Sequence, residues 1–132
     1  MSELKHQQIT GNIIGAAYSV HNLLGSGFLE RVYRNALVIE LRSLAFKVDV
    51  EKPIEVSYKG EIVGNYFADI VVDDRVIIEV KAIKELAPVH EVQLVNYLKA
   101  TEIEVGLLIN FGTSVHVKRC IMDKQVPATN KL

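Results

Sequence analysis

The sequence predicts an α/β protein whose elements follow the order α-α-β-β-β-α-β-β. Apolar residues recur at helical spacing in the N-terminal part of the chain, and β-branched runs separated by turns dominate the remainder. At 132 residues the chain is expected to form one domain, residues 1–132. Its core is predicted over about 5–121, and the tail at 123–132 is predicted to be frayed.

The first two elements are predicted to be amphipathic helices. One covers residues 5–24 and ends at Gly25-Ser26-Gly27, which supplies the backbone freedom needed to leave a helix. The other covers about 28–44. Its predicted buried stripe consists of Leu29, Val32, Tyr33, Ala36, Leu37, Leu41 and Leu44.

The next three elements are predicted strands. Residues 46–58 alternate loosely and contain Pro53, which indicates either one strand with a break or a strand at the edge of a sheet. Residues 66–72 and 76–82 are apolar, β-branched runs. The turn-like Asp73-Asp74-Arg75 between them is typical of an antiparallel hairpin, which we place over about 62–82.

A third helix and two further strands complete the prediction. Pro88 is suited to the first position of a helix, and the helix is expected to continue from Val89 to Ala100. Residues 102–109 are almost continuously apolar, as in a strand that is covered on both faces. Residues 114–121 form the last predicted strand.

Composition limits the environment of the protein and its partners. The formal net charge is −1 and the pI is about 6.4, so no overall field draws the chain onto nucleic acid or anionic lipid. A single cysteine, Cys120, excludes an internal disulfide and suits a reducing cytoplasm. No apolar run approaches the ~18 residues of a membrane helix. We therefore expect a soluble cytoplasmic protein without a membrane partner.

Charged residues within the predicted hairpin are the main candidates for a functional site. Side chains alternate between the two faces of a strand, so Glu79 and Lys81 point the same way. If the loop has three residues centred on Asp74, Asp69 lies opposite Glu79; a loop shorter by one residue shifts that pairing. Two carboxylates and an ammonium group on an apolar hairpin are costly unless something pairs them.

A divalent metal ion would supply that pairing. Mg²⁺ takes oxygen ligands, commonly one or two carboxylates together with waters and phosphate oxygens. Asp69 and Glu79 offer the carboxylates, the carbonyl of Val80 could add an oxygen, and Lys81 could hold water or balance phosphate charge. This set suits metal-assisted hydrolysis of phosphodiesters. The alternative, a surface aspartate beside an ordinary Glu–Lys pair, stays open at this point.

Two helices add further candidates. Gln93 and Tyr97 are four residues apart, so an amide and a phenol share one face of the third helix. They either bind phosphate or orient the lysine, or they are a core tyrosine beside a solvated glutamine. Glu30 lies in the first turn of the second helix, where it is either a further metal ligand or the partner of Arg34. His90, at the start of the third helix, either touches substrate or is simply solvated.

These motifs together resemble a known family. Asp69, then Glu79-x-Lys81, then Gln93-x-x-x-Tyr97 resembles the PD-(D/E)XK nuclease superfamily, especially its RecB-like branch. Gly27-x-x-Glu30-x-x-Tyr33, together with the run from Leu107 to Gly112, is similar to the small GxxExxY proteins within that superfamily. The resemblance covers about residues 5–121. The sequence departs from the superfamily pattern at Ala68, which precedes Asp69 where the pattern has proline.

The resemblance implies a restriction-endonuclease-like fold, with a central mixed sheet flanked by helices. It also implies that Asp69 and Glu79 bind Mg²⁺ or Mn²⁺ and that Lys81 is the catalytic lysine. Gln93 and Tyr97 form the helix motif, and Glu30, near Tyr33, is the additional acid. The implied substrate is DNA of unassigned strandedness. Because no second domain is present to recognise a target, specificity would come from a homodimer or a protein partner.

Three functional interpretations remain open from the sequence. The first is a metal-dependent nuclease that cleaves DNA. The second is a non-catalytic module that retains the fold and binds nucleic acid or protein. The third is a subunit of an obligate assembly in which the carboxylates only form ion pairs.

Overall fold

The structure is a computed structural model that describes residues 6–122, and the predicted order of elements is confirmed. The helices are α1 (Gln7–Leu24), α2 (Glu30–Ser43) and α3 (Pro88–Thr101). The strands are β1 (Val48–Tyr58), β2 (Glu61–Val72), β3 (Val76–Lys81), β4 (Val105–Phe111) and β5 (Val115–Ile121). The predicted frayed tail at 123–132 and the first residue of the predicted helix 5–24 lie outside the described residues. No helix within 6–122 is long and apolar enough to cross a membrane.

The strands form one mixed sheet in the order β1-β2-β3-β4-β5. Neighbouring strands are antiparallel except for β3 and β4, which run parallel and are connected through α3. This arrangement confirms the mixed sheet that the sequence led us to expect. Strand β1 lies at the edge of the sheet, where Pro53 is tolerated because one row of N–H groups has no ladder partner. Its pairing with β2 is irregular at Glu51 and shifts register between Val56 and Ser57.

Helices cover both faces of the sheet and divide the core into two parts. Helices α1 and α2 pack on the face that carries Ile70, Ile78 and Val80. Helix α3 packs on the opposite face, against Ile77 and Leu108. All seven residues of β4 are buried, which confirms the prediction of a strand covered on both sides.

The predicted register of the central hairpin is confirmed. Strands β2 and β3 pair at Ile70–Ile78, Val71–Ile77 and Val72–Val76, so the three-residue loop is centred on Asp74. Asp73 and Asp74 both adopt left-handed backbone angles, with φ of 52° and 55°. Because Glu79 and Lys81 follow Ile77 by two and four residues along β3, they point to the same face as Ile77, which α3 covers.

Two boundary predictions were wrong by a few residues. In α2 the buried residues are Tyr33, Leu37, Val38 and Leu41. Leu29 and Leu44 are exposed because they lie just outside the helix, which runs from Glu30 to Ser43. Val32 lies within the helix and is also exposed. Strand β4 begins at Val105 rather than 102, because α3 continues to Thr101 and Glu102 ends it in a left-handed conformation.

Candidate functional site

The candidate site lies where β2 and β3 separate, at a point we call the β2–β3 fork. The ladder between these strands ends at the pair Ile70–Ile78. Beyond it, β3 continues alongside β4 while β2 stays with β1. Asp69 and Glu79 occupy the next positions of β2 and β3. Their backbones are therefore no longer paired with each other, and their side chains occupy the opening between the two strands.

Reciprocal hydrogen bonds connect the two carboxylates across the β2–β3 fork. The backbone N–H of Asp69 donates to Oε2 of Glu79 at 2.9 Å. The backbone N–H of Val80 donates to Oδ2 of Asp69 at 2.8 Å. Each carboxylate therefore accepts from a backbone N–H that has no partner in a β2–β3 ladder at this point. These two hydrogen bonds also fix the orientation of both acids.

Burial and mutual repulsion perturb the ionisation of both acids. Glu79 is buried, and desolvation followed by the charge of Asp69 raises its pKa to about 8. Desolvation also raises the pKa of Asp69, against the opposing effects of the Val80 N–H and the Lys81 ammonium. The Lys81 ammonium offsets the charge of these two adjacent, desolvated carboxylates only in part, so their donor chemistry fits a divalent cation.

Lys81 stands two residues after Glu79 on the same face of β3 and is partly exposed. Its positive charge lowers the pKa values of Glu79, Asp69 and Glu30, although burial dominates and all three remain raised. The positive charge of Lys81 thus partly offsets the negative charge of each of the three predicted acids.

A buried side chain holds the strand end that carries Lys81. Asn110 in β4 is paired with Lys81 and is only 1% exposed. Its Oδ1 accepts from the N–H of Ile83, and its Nδ2 donates to the carbonyl oxygen of Ile83, both at 2.9 Å. A Cβ atom on Gly112 would lie 3.2 Å from the same carbonyl oxygen. Asn110 and Gly112 thus cradle the backbone just beyond Lys81.

Glu30 is exposed in the first turn of α2 and approaches the site from the other side of the sheet. Its pKa is raised by desolvation and by Asp69, and lowered by Lys81 and Arg34. Within residues 6–122 no three His, Cys, Asp or Glu side chains are grouped so that they could hold a metal ion. The structure therefore brings Asp69 and Glu79 together, with Glu30 close enough to act electrostatically but outside a three-acid cluster.

The predicted face shared by Gln93 and Tyr97 is confirmed. Nε2 of Gln93 donates to the hydroxyl of Tyr97 at 3.0 Å. The pKa of Tyr97 is raised, first by burial and then by the charges of Glu79 and Asp69. The phenol of α3 therefore lies within the field of the carboxylate pair and stays protonated at neutral pH.

Tyr33 and His90 hold loops at the margin of the site. Tyr33 is fully buried; its hydroxyl donates to the carbonyl of Gly25 at 2.6 Å and accepts from the N–H of Phe28. It thereby fixes the loop that leads into Glu30. Nδ1 of His90 accepts from the N–H of Ala87 at 2.9 Å and so closes the first turn of α3.

Sequence reasoning missed three residues at this site. Asn110 had a readable signal, because it is the one amide inside the apolar run of β4 and such a residue needs internal partners. Arg34 and Glu51 carried no comparable signal in the sequence, because their ion pair joins α2 to β1 across 17 positions of the chain. Nη1 of Arg34 contacts Oε1 of Glu51 at 2.7 Å, and the charge of Arg34 also lowers the pKa of Glu30, its predicted alternative partner.

Comparison with known proteins finds one family model that matches this chain and solved structures of similar fold. A protein-family model described as the PD-(D/E)XK nuclease superfamily matches residues 7–121. The crystal structure of SSO0001 is similar, with a TM-score of 0.55 and 17% sequence identity, over 92% of this chain. This chain spans 63% of the length of SSO0001.

A second solved structure is an alkaline exonuclease from Laribacter hongkongensis. It has a TM-score of 0.49 and 12% identity over 87% of this chain and 80% of that protein. No curated protein matches the sequence. The family match and the five-stranded mixed sheet between helices confirm the restriction-endonuclease-like fold.

Proposed function

This chain belongs to the PD-(D/E)XK nuclease superfamily, and we therefore propose that it is a nuclease that hydrolyses phosphodiester bonds in DNA with the help of Mg²⁺ or Mn²⁺. The observation that carries the proposal is the meeting of Asp69 and Glu79 at the β2–β3 fork, each oriented by a backbone amide of the opposite strand. Lys81 follows on the same face of β3, so an ammonium group adjoins the two acids.

Asp69 and Glu79 are the proposed metal ligands, and the backbone carbonyl of Val80 is a proposed third. The raised pKa values of both acids support this assignment, because a divalent cation would add the positive charge that Lys81 supplies only in part. Glu30 is the proposed additional acid, reaching in from the first turn of α2. A bound Mg²⁺ would polarise the phosphate and lower the pKa of the attacking water.

The remaining side chains are proposed to position and neutralise the substrate. Lys81 would orient the water and balance charge on the phosphate oxygens. Gln93 donates to the Tyr97 hydroxyl, which leaves the phenolic proton of Tyr97 free to be donated toward a phosphate or a carboxylate. The field of Glu79 and Asp69 raises the pKa of Tyr97 and so preserves that proton.

Within the superfamily, we propose that the chain groups with the small GxxExxY proteins. Gly27 has a φ of 103°, which favours glycine, and Tyr33 ties down the loop that leads to Glu30. These two observations give Gly27 and Tyr33 local structural roles, and Glu30 is the proposed additional acid. Target specificity is proposed to come from a second copy of the chain or from a protein partner.

Calorimetric titration of Mn²⁺ into metal-free protein, run beside a cleavage assay on single- and double-stranded DNA, tests the proposal. Asp69→Asn is the informative variant because its amide oxygen can still accept from the Val80 N–H. We expect Asp69→Asn to lose both metal binding and cleavage. Lys81→Met should bind metal but lose cleavage by a factor of roughly 10²–10⁴. Lys59→Met, in the exposed turn after β1, is the matched control.

Cleavage that survives both Asp69→Asn and Lys81→Met would contradict the proposal. Metal-dependent DNA binding without cleavage of any substrate would instead support a non-catalytic binding module. Absence of metal affinity in the wild type, with and without DNA, would remove the basis for metal-dependent hydrolysis.

A further inference from the structure

Arg34 presents a nearly buried guanidinium beside the candidate site. It lies one helical turn after Glu30 on α2, and its side chain is only 18% exposed. Nη1 contacts Glu51, whereas Nε is buried and has no hydrogen-bond partner within the described part of the chain. Leaving a desolvated guanidinium N–H without an acceptor costs free energy. A ligand that offers an acceptor to Nε would remove that cost.

The partner of Arg34 sits at an irregular point of the sheet. Val50 pairs with Ile70 and Lys52 pairs with Ala68, but Glu51 and Asp69 between them form no ladder pair. Glu51 also adopts a left-handed backbone angle, with a φ of 50°. The Arg34–Glu51 ion pair is therefore placed next to Asp69, at the opening of the β2–β3 fork. Backbone strain of this kind is stored preferentially at functional sites.

The two members of the ion pair differ in their access to solvent. The Glu51 side chain is 59% exposed, so it can return to water at little cost, whereas Arg34 is mostly covered. Exposed ion pairs contribute little stability, and an incoming anion can replace the carboxylate. A phosphate would accept from Nε and from a terminal nitrogen on one edge of the guanidinium, which is the bidentate arrangement that favours arginine over lysine.

We propose that Arg34 binds a phosphodiester group of the substrate next to Asp69, and that Glu51 holds the guanidinium in place until that phosphate displaces it. This inference rests on the nucleic-acid substrate proposed above. The competing explanation is that Arg34 only compensates the negative charge of Glu30 and Asp69. The two explanations differ in what they predict for nucleic-acid binding and its dependence on salt.

Fluorescence anisotropy of a labelled single-stranded oligonucleotide provides the test, with Ca²⁺ in place of Mg²⁺ and again without metal, over a series of salt concentrations. Arg34→Gln should weaken binding on the order of tenfold. It should also reduce the slope of log affinity against log salt by about 0.7, the value for one contact to a single strand. Arg75→Gln, in the exposed hairpin turn away from the β2–β3 fork, is the charge-matched control and should leave both quantities unchanged.

Glu51→Gln should act in the opposite direction. Releasing Arg34 should tighten binding by up to about fivefold, and this gain should disappear in the double variant Arg34→Gln/Glu51→Gln. Glu61→Gln, at the exposed start of β2, controls for the loss of one negative charge. An equal gain from Glu51→Gln in the presence and absence of Arg34 would overturn the proposal, because the effect would then be general charge.

An unchanged salt slope in Arg34→Gln, with wild-type binding intact, would overturn this inference and leave the proposed nuclease standing. Absence of any binding by the wild type under both metal conditions would overturn both. Circular dichroism establishes that each variant is folded. If Arg34→Gln does not fold, Arg34→Lys replaces it: the salt slope should be retained while affinity falls, and wild-type affinity in Arg34→Lys would overturn the bidentate contact.

Discussion

The backbone amide of Asp69 donates to the carboxylate of Glu79 across the opening between β2 and β3, at 2.9 Å. The reciprocal bond, from the Val80 amide to Asp69, makes the pair part of the sheet as well as part of the candidate site. The same two acids therefore complete the backbone hydrogen bonding and repel each other, so substitutions at this point should change stability as well as the proposed activity.

The first prediction concerns pH. The pKa of Glu79 is raised from 4.5 to about 8 in the folded protein, so between these values the native state holds a proton that the unfolded chain has released. The metal-free protein should therefore lose stability as pH rises from about 4.5 through about 8, by a few kcal/mol in total. The raised pKa of Asp69 acts in the same direction. Urea unfolding at a series of pH values measures the effect.

Glu79→Gln should flatten this pH dependence, because the amide oxygen keeps an acceptor for the Asp69 N–H without a charge. Glu61→Gln is the control, since Glu61 is exposed at the start of β2. A pH profile of Glu79→Gln that parallels the wild type would show that the stability loss arises elsewhere.

The second prediction concerns the metal. If Asp69 and Glu79 bind Mn²⁺ in the native state alone, adding the ion at pH 8 should raise the free energy of unfolding. The increase should reach about 2.7 kcal/mol at a hundredfold excess over the dissociation constant. It should diminish at pH 5, because protons then compete for the same carboxylates. Thermal unfolding with and without Mn²⁺ measures this shift, and an equal shift in Asp69→Asn would mean that the ion binds somewhere else.

The register of the central hairpin could be predicted because it depends on local information. The loop Asp73-Asp74-Arg75 fixes the centre of the hairpin, and alternation then places Asp69 and Glu79 without reference to the rest of the chain. The same locality explains why the face shared by Gln93 and Tyr97 was predictable from their spacing.

Features set by distant contacts could not be predicted in this way. The buried stripe of α2 was misjudged at Leu29 and Leu44 because the helix is shorter than its apolar pattern, and tertiary packing sets where it ends. Arg34 meets Glu51 only because β1 crosses beside α2, and neither residue lies in a motif that would single it out. The separation of β2 from β3, which turns two carboxylates into a site, likewise depends on β4 pairing with β3.

The third prediction tests the support of Lys81 by Asn110. Asn110→Ala removes both hydrogen bonds to Ile83 and leaves the backbone groups of Ile83 without these partners in a partly buried region. We expect a loss of about 2–4 kcal/mol in the free energy of unfolding. Asn65→Ala, at an exposed position of β2, is the matched control and should change stability by less than about 0.5 kcal/mol. A stability loss under about 1 kcal/mol in Asn110→Ala would mean that solvent replaces the amide at Ile83.

The fourth prediction concerns the close approach of α3 to the sheet. A Cβ atom on Gly106 in β4 would lie 2.9 Å from Cδ1 of Leu94 and 3.0 Å from its Cγ, inside the core beneath α3. Gly106→Ala should therefore destabilise the protein by about 1–3 kcal/mol, because Leu94 is fully buried and has to move to admit the methyl group. Gly11→Ala is the matched control: nothing lies within 4 Å of that Cβ, and alanine at this position within α1 should stabilise by about 0.5–1 kcal/mol.

The cause of the Gly106→Ala effect can be isolated with a double variant. Leu94→Ala alone opens a cavity and should cost about 2–5 kcal/mol. In that background the added methyl group of Gly106→Ala enters the vacated space, so its own cost should shrink or reverse sign. Equal costs of Gly106→Ala with and without Leu94 would show that the strand backbone, rather than the packing of α3, requires glycine at this position. A reversal would establish that α3, which carries Gln93 and Tyr97, is seated on the sheet by the contact between Leu94 and Gly106.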